Sequence, residues 1–293
     1  MELKKLWSER SKLVEEQLVK ELNEANPLDK TLCESMKYSL MAGGKRLRPV
    51  MLMAAADAVG AKGIDFLTTA CAIEMIHTYS LIHDDLPAMD DDDYRRGKLT
   101  NHKVYGAGMA TLAGDALLTL AFEVMLRQEK TTAETKLKVI KEMSIAAGPD
   151  GMVGGQALDM ESENKHIAMA TLRQMHMGKT GALFRAAIRS GAVLGGADAN
   201  KLAALTQYAD NFGLAFQITD DILDVTGDEA VIGKPVGSDE KNNKSTYVTL
   251  TSLAEAKELA ALAVADAVKA LDTFGTEADF LRDLVEFLVK RNK

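Results

Sequence analysis

The sequence predicts an all-α protein, and three observations lead to that prediction. Apolar residues make up 47% of the 293 residues, whereas only five residues are proline. Alanine, leucine and methionine recur throughout, and these residues favour helix over sheet. Apolar positions also return with the period of an α-helix along nearly the whole chain. Because no long polar linker interrupts this pattern, we expect a single domain over residues 1–293.

The predicted helices are separated by short breaks that contain glycine or proline, residues that commonly end helices. These breaks lie at 26–27, 43–44, 148–151, 195–196 and 233–235. The periodicity predicts helices over 2–24, 29–42, 48–59, 64–86, 110–128, 132–147, 168–194, 199–225, 253–272 and 276–291. The helices 64–86 and 199–225 are apolar on more than one face, which is typical of helices in the middle of a bundle.

Charge and cysteine content exclude several classes of protein. A net charge of −8 argues against a nucleic-acid-binding surface, which needs a basic face. The first residues lack the apolar core of a signal peptide, and no later stretch approaches about 18 uncharged apolar residues. Cys33 and Cys71 lie in apolar contexts without metal-ligand spacing, as expected of thiols in the cytosol. We therefore expect a cytoplasmic protein that does not insert into a membrane.

Two of the helices that we expect to be central end in aspartates. The first cluster, in "DDLPAMD", contains Asp84, Asp85 and Asp90, and the second, in "DDILD", contains Asp220, Asp221 and Asp224. Asp220 and Asp224 are four residues apart and so lie on one helix face. Pro87 disfavours regular helix and lets the chain bend, which would allow Asp84 and Asp90 to converge.

Clustered carboxylates near apolar surface repel one another and resist ionisation unless a cation is present. Mg²⁺ prefers hard oxygen ligands and is commonly held by one or two carboxylates together with substrate phosphates. A calcium-binding loop does not fit, because Leu86 and Met89 stand where it needs a ligand and a glycine. The clusters therefore indicate magnesium, whereas residues 91–93 by themselves are typical of a solvated acidic turn.

Basic residues lie close to the aspartates in sequence and indicate an anion with several phosphates. They are Lys45, Arg46 and Arg48 in "GGKRLRP", Arg95 and Arg96 after the first cluster, Lys179 in "GKTGAL", and Lys234, Lys241 and Lys244 in a loop. Standard nucleotide motifs are absent, because neither "MAGGKR" nor "GAGMAT" completes its fingerprint. The sequence also contains no GxSxG or HExxH motif, which leaves diphosphate chemistry as the favoured prediction.

With these motifs in order across about residues 30–250, the chain resembles the trans (E)-type isoprenyl diphosphate synthases, most of all the bacterial members that form farnesyl diphosphate. The resemblance implies an all-α fold around a deep central cavity, a homodimer and three Mg²⁺ ions. It also implies a prenyltransferase that condenses isopentenyl diphosphate with dimethylallyl diphosphate and geranyl diphosphate, giving (E,E)-farnesyl diphosphate.

The resemblance further implies roles for individual residues. Metal ions would be held by Asp84, Asp85, Asp90 and Asp220, and direct contact of Asp221 and Asp224 with metal stays open. The allylic diphosphate would be bound by Arg95, Lys179, Thr180, Gln217 and Lys234, of which Lys179, Thr180 and Gln217 would be catalytic. Isopentenyl diphosphate would be bound by Lys45, Arg48, His77 and Arg96, with Phe216 against its hydrocarbon part.

Product length would be limited by a large side chain below Asp84 on the same helix. Helix geometry alone is ambiguous, because Ser80 lies about 40° and Tyr79 about 140° from Asp84 around the axis. An aromatic residue five positions before the first motif resembles the farnesyl-forming pattern, which selects Tyr79. Two alternatives stay open: the same chemistry with geranyl or geranylgeranyl diphosphate as main product, and a non-catalytic partner subunit.

The chain departs from the family pattern at three positions. Leu99 and Val248 stand where proline is usual, and Met160 stands where leucine is common. None of these changes removes a charge, so we expect the chemistry to survive with altered loop stiffness. Near Met160, Gln156 and Asp159 are expected to support neighbouring helices rather than touch substrate.

Overall fold

The computed structural model describes residues 2–25, 27–227 and 244–290, and this part of the chain is helical apart from one short hairpin. The prediction of an all-α protein is confirmed. The chain divides into two compact units, Met1–Met53 with Lys62–Ile140 and Ala54–Ala61 with Lys141–Lys293. A single domain over the whole chain stays a prediction.

The first unit is built around α4. Its helices are α1 (Glu2–Ala25), α2 (Lys30–Leu40), α3 (Leu47–Ala58, which begins here), α4 (Leu67–Asp84), α5 (Asn101–Tyr105), α6 (Ala107–Leu126) and α7 (Ala133–Ala147, which begins here). Ile73, Met75 and Ile76 of α4 are completely buried, and α4 packs along α6. The expectation that this apolar helix lies in the middle of its bundle is confirmed within this unit.

Helix α6 is unusually apolar for a helix with an exposed side. Among the described residues it is the one helix long and apolar enough to cross a membrane, although a core helix can meet the same criteria. Only 44% of the apolar stretch of α6 is buried. Asp115 and Glu123 interrupt this segment, so it is not the uncharged apolar stretch that the sequence prediction found to be absent.

The hairpin follows the first acidic cluster and was not predicted. Its strands are β1 (Tyr94–Arg95) and β2 (Lys98–Leu99), paired antiparallel with Arg95 opposite Lys98. The two turn residues, Arg96 and Gly97, have φ values of 55° and 75°. Two consecutive positive φ values are the signature of a type I′ turn, whose twist matches that of the flanking strands.

The second unit is built around α11. Its further helices are α8 (Met152–Ser162), α9 (Met169–His176), α10 (Ala182–Leu194), α11 (Ala199–Thr226), α12 (Tyr247–Leu250), α13 (Leu253–Ala270) and α14 (Asp279–Lys290). Asp198 precedes α11 as its N-cap, and its side chain accepts a hydrogen bond from the Lys201 amide at 2.9 Å. Tyr208 and Phe212 of α11 are completely buried, which confirms its central place in this unit.

The second unit differs from the sequence prediction in three places, of which one is the short helix α12, which was not predicted. Helix α8 was not predicted, because Gly154 and Gly155 within it weaken the helical signal. The predicted helix 168–194 is instead α9 and α10 joined by a π-helical turn, Met177–Gly181. Such turns often occur at functional sites, and this one carries Lys179 and Thr180.

Candidate functional site

The first acidic cluster forms where α4 ends. Asp84 is the last residue of α4 and is half-buried, whereas Asp90 is exposed. The chain turns at Pro87, and the Asp90 amide donates to the Asp84 carbonyl at 2.9 Å. The bend expected from proline therefore brings the backbones of these two aspartates together.

Asp85 has a different environment from its neighbours. It is 3% exposed, and its Oδ1 accepts from Nε of Arg95 at 2.6 Å and lies 2.5 Å from Nη2. Burial raises the pKa of Asp85, and the Arg95 guanidinium opposes that effect. In this structure Asp85 holds Arg95 in place, so Asp84 and Asp90 are the better placed of the predicted metal ligands.

The three aspartates that we expected to be solvated are exposed, but they also form ion pairs. Lys103 of α5 lies 2.6 Å from Asp93 and 3.8 Å from Asp91. Nε2 of the buried His102 lies 3.7 Å from Asp91. The hydrogen bond from Lys103 lowers the pKa of Asp93. These contacts tie the acidic segment to α5.

A neutral histidine lies among several cations in the first unit. Burial lowers the pKa of His77 well below its usual range, and nearby positive charges lower it further. Those charges belong to Arg48, Arg96, Arg95 and Arg46. Burial also lowers the pKa of Arg48 to about 10. The structure thus groups Arg48, His77 and Arg96, three of the four residues predicted to bind isopentenyl diphosphate.

The glycine-rich segment before α3 packs against Arg96. Gly44 has a φ of 118°, and a Cβ at this position would overlap the Arg96 guanidinium. Arg96 donates to the Gly43 carbonyl. Nearby, Trp7 Nε1 donates to the Lys45 carbonyl at 2.6 Å, and Lys45 is exposed. Glycine is therefore required at 44 so that a cation can approach the backbone.

Arg46 does not belong with the anion-binding cations among which the sequence placed it. It is 2% exposed, and its guanidinium donates to Glu74 at 2.8 Å and to the Leu40 carbonyl at 2.8 Å. Its φ of 48° is strained for a non-glycine residue, so these contacts must hold it in place. The lone Glu74 in an otherwise apolar stretch of α4 was the sequence signal for a buried partner.

In the second unit, the π-helical turn presents Lys179. Its Nζ lies 2.6 Å from Oδ2 of Asp159 on α8, and Lys244 Nζ lies 3.9 Å from the same oxygen. Burial alone would raise the pKa of Asp159, but Lys179 and Lys244 outweigh it and lower the pKa. Asp159 thus holds Lys179 directly, a more specific role than the helix support predicted for it.

The second acidic cluster lies in the last turns of α11. Asp220 is exposed, whereas Asp221 is 5% exposed and its Oδ2 accepts from the Tyr247 amide at 2.7 Å. Asp221 therefore anchors the start of α12, and Asp220 is the more accessible carboxylate. Gln217 is half-buried one turn earlier. Lys234 and Lys241 lie outside the described residues.

Phe216 joins an aromatic cluster on α10 and α11. Its ring centroid lies 5.1 Å from that of Phe184 and 6.4 Å from that of Phe212. Phe216 is half-buried, whereas both partners are completely buried. Phe216 is thus the partly exposed member of the cluster, and its role against substrate stays a prediction.

The donor set fits magnesium bound together with a diphosphate. Over residues 2–25, 27–227 and 244–290, no three His, Cys, Asp or Glu side chains form a group that could hold a metal ion alone. Paired aspartates with few further protein ligands are what Mg²⁺ uses when substrate phosphates complete its coordination. Asp84 with Asp90, and Asp220, would be the ligands.

The predicted product-length residues lie on α4. Tyr79 is 5% exposed, and burial together with the charge of Asp84 raises its pKa to about 12. Ser80 is half-buried and its hydroxyl donates to the His77 carbonyl at 2.9 Å. Of the two, Tyr79 has the large side chain that the predicted limit on product length requires.

Comparisons with known proteins agree on one family. A sequence profile described as polyprenyl synthetase matches residues 29–277. A farnesyl diphosphate synthase of Geobacillus stearothermophilus is 49% identical over 89% of this chain and 89% of its own. One of Micrococcus luteus is 48% identical over 93% of each chain. A crystal structure of a geranylgeranyl pyrophosphate synthetase from Pyrococcus horikoshii has a TM-score of 0.90 at 32% identity, covering 99% of both chains.

His176, the last residue of α9, is a buried neutral histidine directly before the π-helical turn that carries Lys179. It is 9% exposed, its Nδ1 has no hydrogen-bond partner among the described residues, and its ring lies 5.8 Å from that of Tyr247. Burial lowers its pKa to about 4. Because the unfolded chain binds this proton near the usual value of 6.5, the contribution of His176 to stability falls as pH falls from about 6.5 to 4.

We expect His176→Phe to remove this pH dependence. Between pH 7 and pH 4.5 the free energy of unfolding of the wild type should fall by about 2 kcal/mol more than that of the variant. Urea unfolding at the two pH values measures the difference. His166→Gln, at an exposed histidine, should keep the wild-type pH dependence. Equal losses in the wild type and His176→Phe would contradict the prediction.

Proposed function

We propose short-chain prenyl transfer as the activity of this chain, which belongs to the polyprenyl synthetase family. The protein is a transferase that condenses isopentenyl diphosphate with dimethylallyl and geranyl diphosphate to give (E,E)-farnesyl diphosphate. One observation carries the proposal at the level of the site: Asp84 and Asp90 lie together beside a group of arginines around a neutral His77. Metal-binding carboxylates next to cations suit a diphosphate substrate.

The proposed roles of the residues follow the chemistry of each side chain. Asp84, Asp90 and Asp220 would hold Mg²⁺, with Asp85 acting beside them through Arg95. Arg95, Lys179, Thr180, Gln217 and Lys234 would bind the allylic diphosphate, and Lys45, Arg48, His77 and Arg96 would bind isopentenyl diphosphate. Phe216 would cover its hydrocarbon part.

Catalysis would depend on charge that develops as the allylic diphosphate leaves. Bound Mg²⁺, which we propose as three ions, would neutralise part of the negative charge on the departing group. Arg95 and Lys179 would hold that group more strongly in the transition state than before it, which lowers the barrier. Oxygens of Thr180 and Gln217 would stabilise the allylic cation, and the double bond of isopentenyl diphosphate would then attack it to form the new carbon–carbon bond. The cation left on the isopentenyl unit would lose a proton to the released diphosphate, which restores a double bond.

The direct test is to incubate purified protein with Mg²⁺, isopentenyl diphosphate and either allylic primer. We expect farnesyl diphosphate, identified by chromatography and mass spectrometry. Asp84→Ala should lower turnover by about a hundredfold or more with an unchanged circular dichroism spectrum, because a metal ligand is lost. Asp93→Asn, at an exposed aspartate paired with Lys103, should stay close to wild type. A wild type that forms no product would instead support the non-catalytic subunit.

Tyr79 is proposed to limit the growing chain. Tyr79→Ala should therefore shift the product from fifteen towards twenty or more carbons, because the buried ring that stops the tail is removed. Ser80→Ala, which removes only a hydroxyl, should leave product length unchanged. Analysis of products from geranyl and isopentenyl diphosphate measures both. Farnesyl diphosphate as the main product of Tyr79→Ala would refute the role, and a wild type that already makes twenty carbons would favour the geranylgeranyl alternative.

We also propose a homodimer that packs through α6. Leu112 and Leu126 on this helix are 55% and 56% exposed. At about 100° per residue they lie within about 40° of each other around the helix axis, and so on one face. An apolar helix face exposed to water is typical of a protein interface, and a two-fold axis would pair the same face of two copies. The helix is apolar enough for that contact.

Leu112→Glu should convert the dimer into a monomer, because two carboxylates would meet near the axis. Light scattering coupled to size exclusion measures the molar mass. Leu137→Glu on α7, where the leucine is 65% exposed, should leave the mass unchanged. A wild type with the mass of one chain would refute the homodimer.

A cytoplasmic location is proposed from the thiols. Cys33 is half-buried, Cys71 is buried, and both are free. Free thiols are usual in the reducing cytosol and less common in secreted proteins.

A further inference from the structure

Tyr79 has an aromatic partner one helical turn along α4. The ring of His83 meets the ring of Tyr79 edge to face, with centroids 5.7 Å apart and an angle of 84° between the planes. Edge-to-face contact is a favoured geometry for aromatic rings. Tyr79 is itself 5% exposed, so its position depends on what packs against it. The orientation of His83 is therefore part of what fixes Tyr79.

His83 is in turn held against α6. Its Nε2 lies 3.0 Å from the Thr111 carbonyl oxygen and 3.8 Å from Oδ1 of Asp115. Gly114 lies between these two residues of α6, and the His83 imidazole packs directly against its Cα. A Cβ at position 114 would overlap Nε2 and Cδ2 of His83. The ring occupies the volume that any other side chain at 114 would fill.

A glycine inside a helix needs a reason, because it costs about 0.5–1 kcal/mol relative to alanine. The other glycine of α6, Gly108, is an unconstrained position, since a Cβ there would meet no atom of the described part of the chain within 4 Å. Gly114 differs because its missing side chain admits His83. The stability cost of glycine at 114 is thus accompanied by a specific contact with the His83 ring, and that ring in turn contacts Tyr79.

We infer that Gly114 is a positioning residue that sets product length through His83 and Tyr79. The inference rests on the proposed function, in which Tyr79 limits the growing chain. A methyl group at 114 would displace the imidazole and break its contact with Thr111. Tyr79 would lose its edge-to-face contact with the His83 ring. The Tyr79 side chain could then move aside and leave room for a longer hydrocarbon chain. Substitution at Gly114 should therefore lengthen the product without touching the metal ligands or the cations.

The test compares Gly114→Ala with Gly108→Ala on the same helix. The readout is the ratio of twenty-carbon to fifteen-carbon product formed from geranyl and isopentenyl diphosphate. This ratio does not depend on how much of the enzyme is folded, so a loss of stability alone does not move it. Loss of one aromatic contact should raise the ratio about three- to tenfold in Gly114→Ala. Gly108→Ala should match the wild type.

A double-mutant cycle with His83→Ala shows whether the effect passes through the imidazole. His83→Ala should raise the ratio by itself, and adding Gly114→Ala should then change it no further. A wild-type ratio in Gly114→Ala, or an equal increase with and without His83, would overturn the inference. If Gly114→Ala does not fold, the product ratio of His83→Ala tests the inference instead. A wild-type ratio in His83→Ala would also overturn the inference.

Tyr79→Ala separates this inference from the proposed function. A longer product in Tyr79→Ala with no change in Gly114→Ala refutes only the role of Gly114. An unchanged product in Tyr79→Ala refutes the role of Tyr79, and the inference with it. Absence of product from the wild type refutes the proposed activity itself.

Discussion

The ion pair between Asp85 and Arg95 determines how the acidic segment after α4 is arranged. The C-terminal end of a helix carries partial negative charge, so aspartates at this point are unfavourable unless a cation compensates them. Asp85 is buried here, where an unpaired carboxylate would be costly. Because its partner lies ten residues later, the chain must turn back within that distance. That return places Asp90 beside Asp84 and puts Arg96 into the hairpin turn.

The same principle separates the cations that support the fold from those available to a ligand. Arg46 is buried with Glu74, and removing either partner would leave a buried charge, so this arginine is committed to the structure. Lys179 is only partly buried, and its partner Asp159 is shared with Lys244. A diphosphate could therefore interact with Lys179 while Lys244 still compensates Asp159. Burial of the cation, more than its place in a motif, distinguishes the two roles.

The sequence predicted most of the helices because apolar periodicity records which face of each helix is buried. It failed at α8, where Gly154 and Gly155 obscure that pattern, and at the hairpin, whose strands are too short to show alternation. It could assign diphosphate chemistry because aspartates and cations recur at fixed positions. It could not tell Arg46 from Arg48, or Asp85 from Asp84, because burial and pairing depend on residues distant in sequence. The hydrogen bond between Lys179 and Asp159 was not predicted for the same reason.

Helix α4 places the residues of two proposed roles, metal binding and length control, at a fixed separation. Asp84 and Tyr79 are five residues apart, which is about 7.5 Å along the axis of an α-helix. If the diphosphate is held at the Asp84 end, the depth available to the hydrocarbon tail is set by the helix itself. The position of residue 79 along the helix axis is then fixed. Only the side chain at 79, or the side chains that pack against it, can change. That support comes from α6, where Gly114 admits the His83 ring. The proposed length control would therefore vary through a neighbouring helix, while the carboxylates and cations proposed to act on the diphosphate stay unchanged.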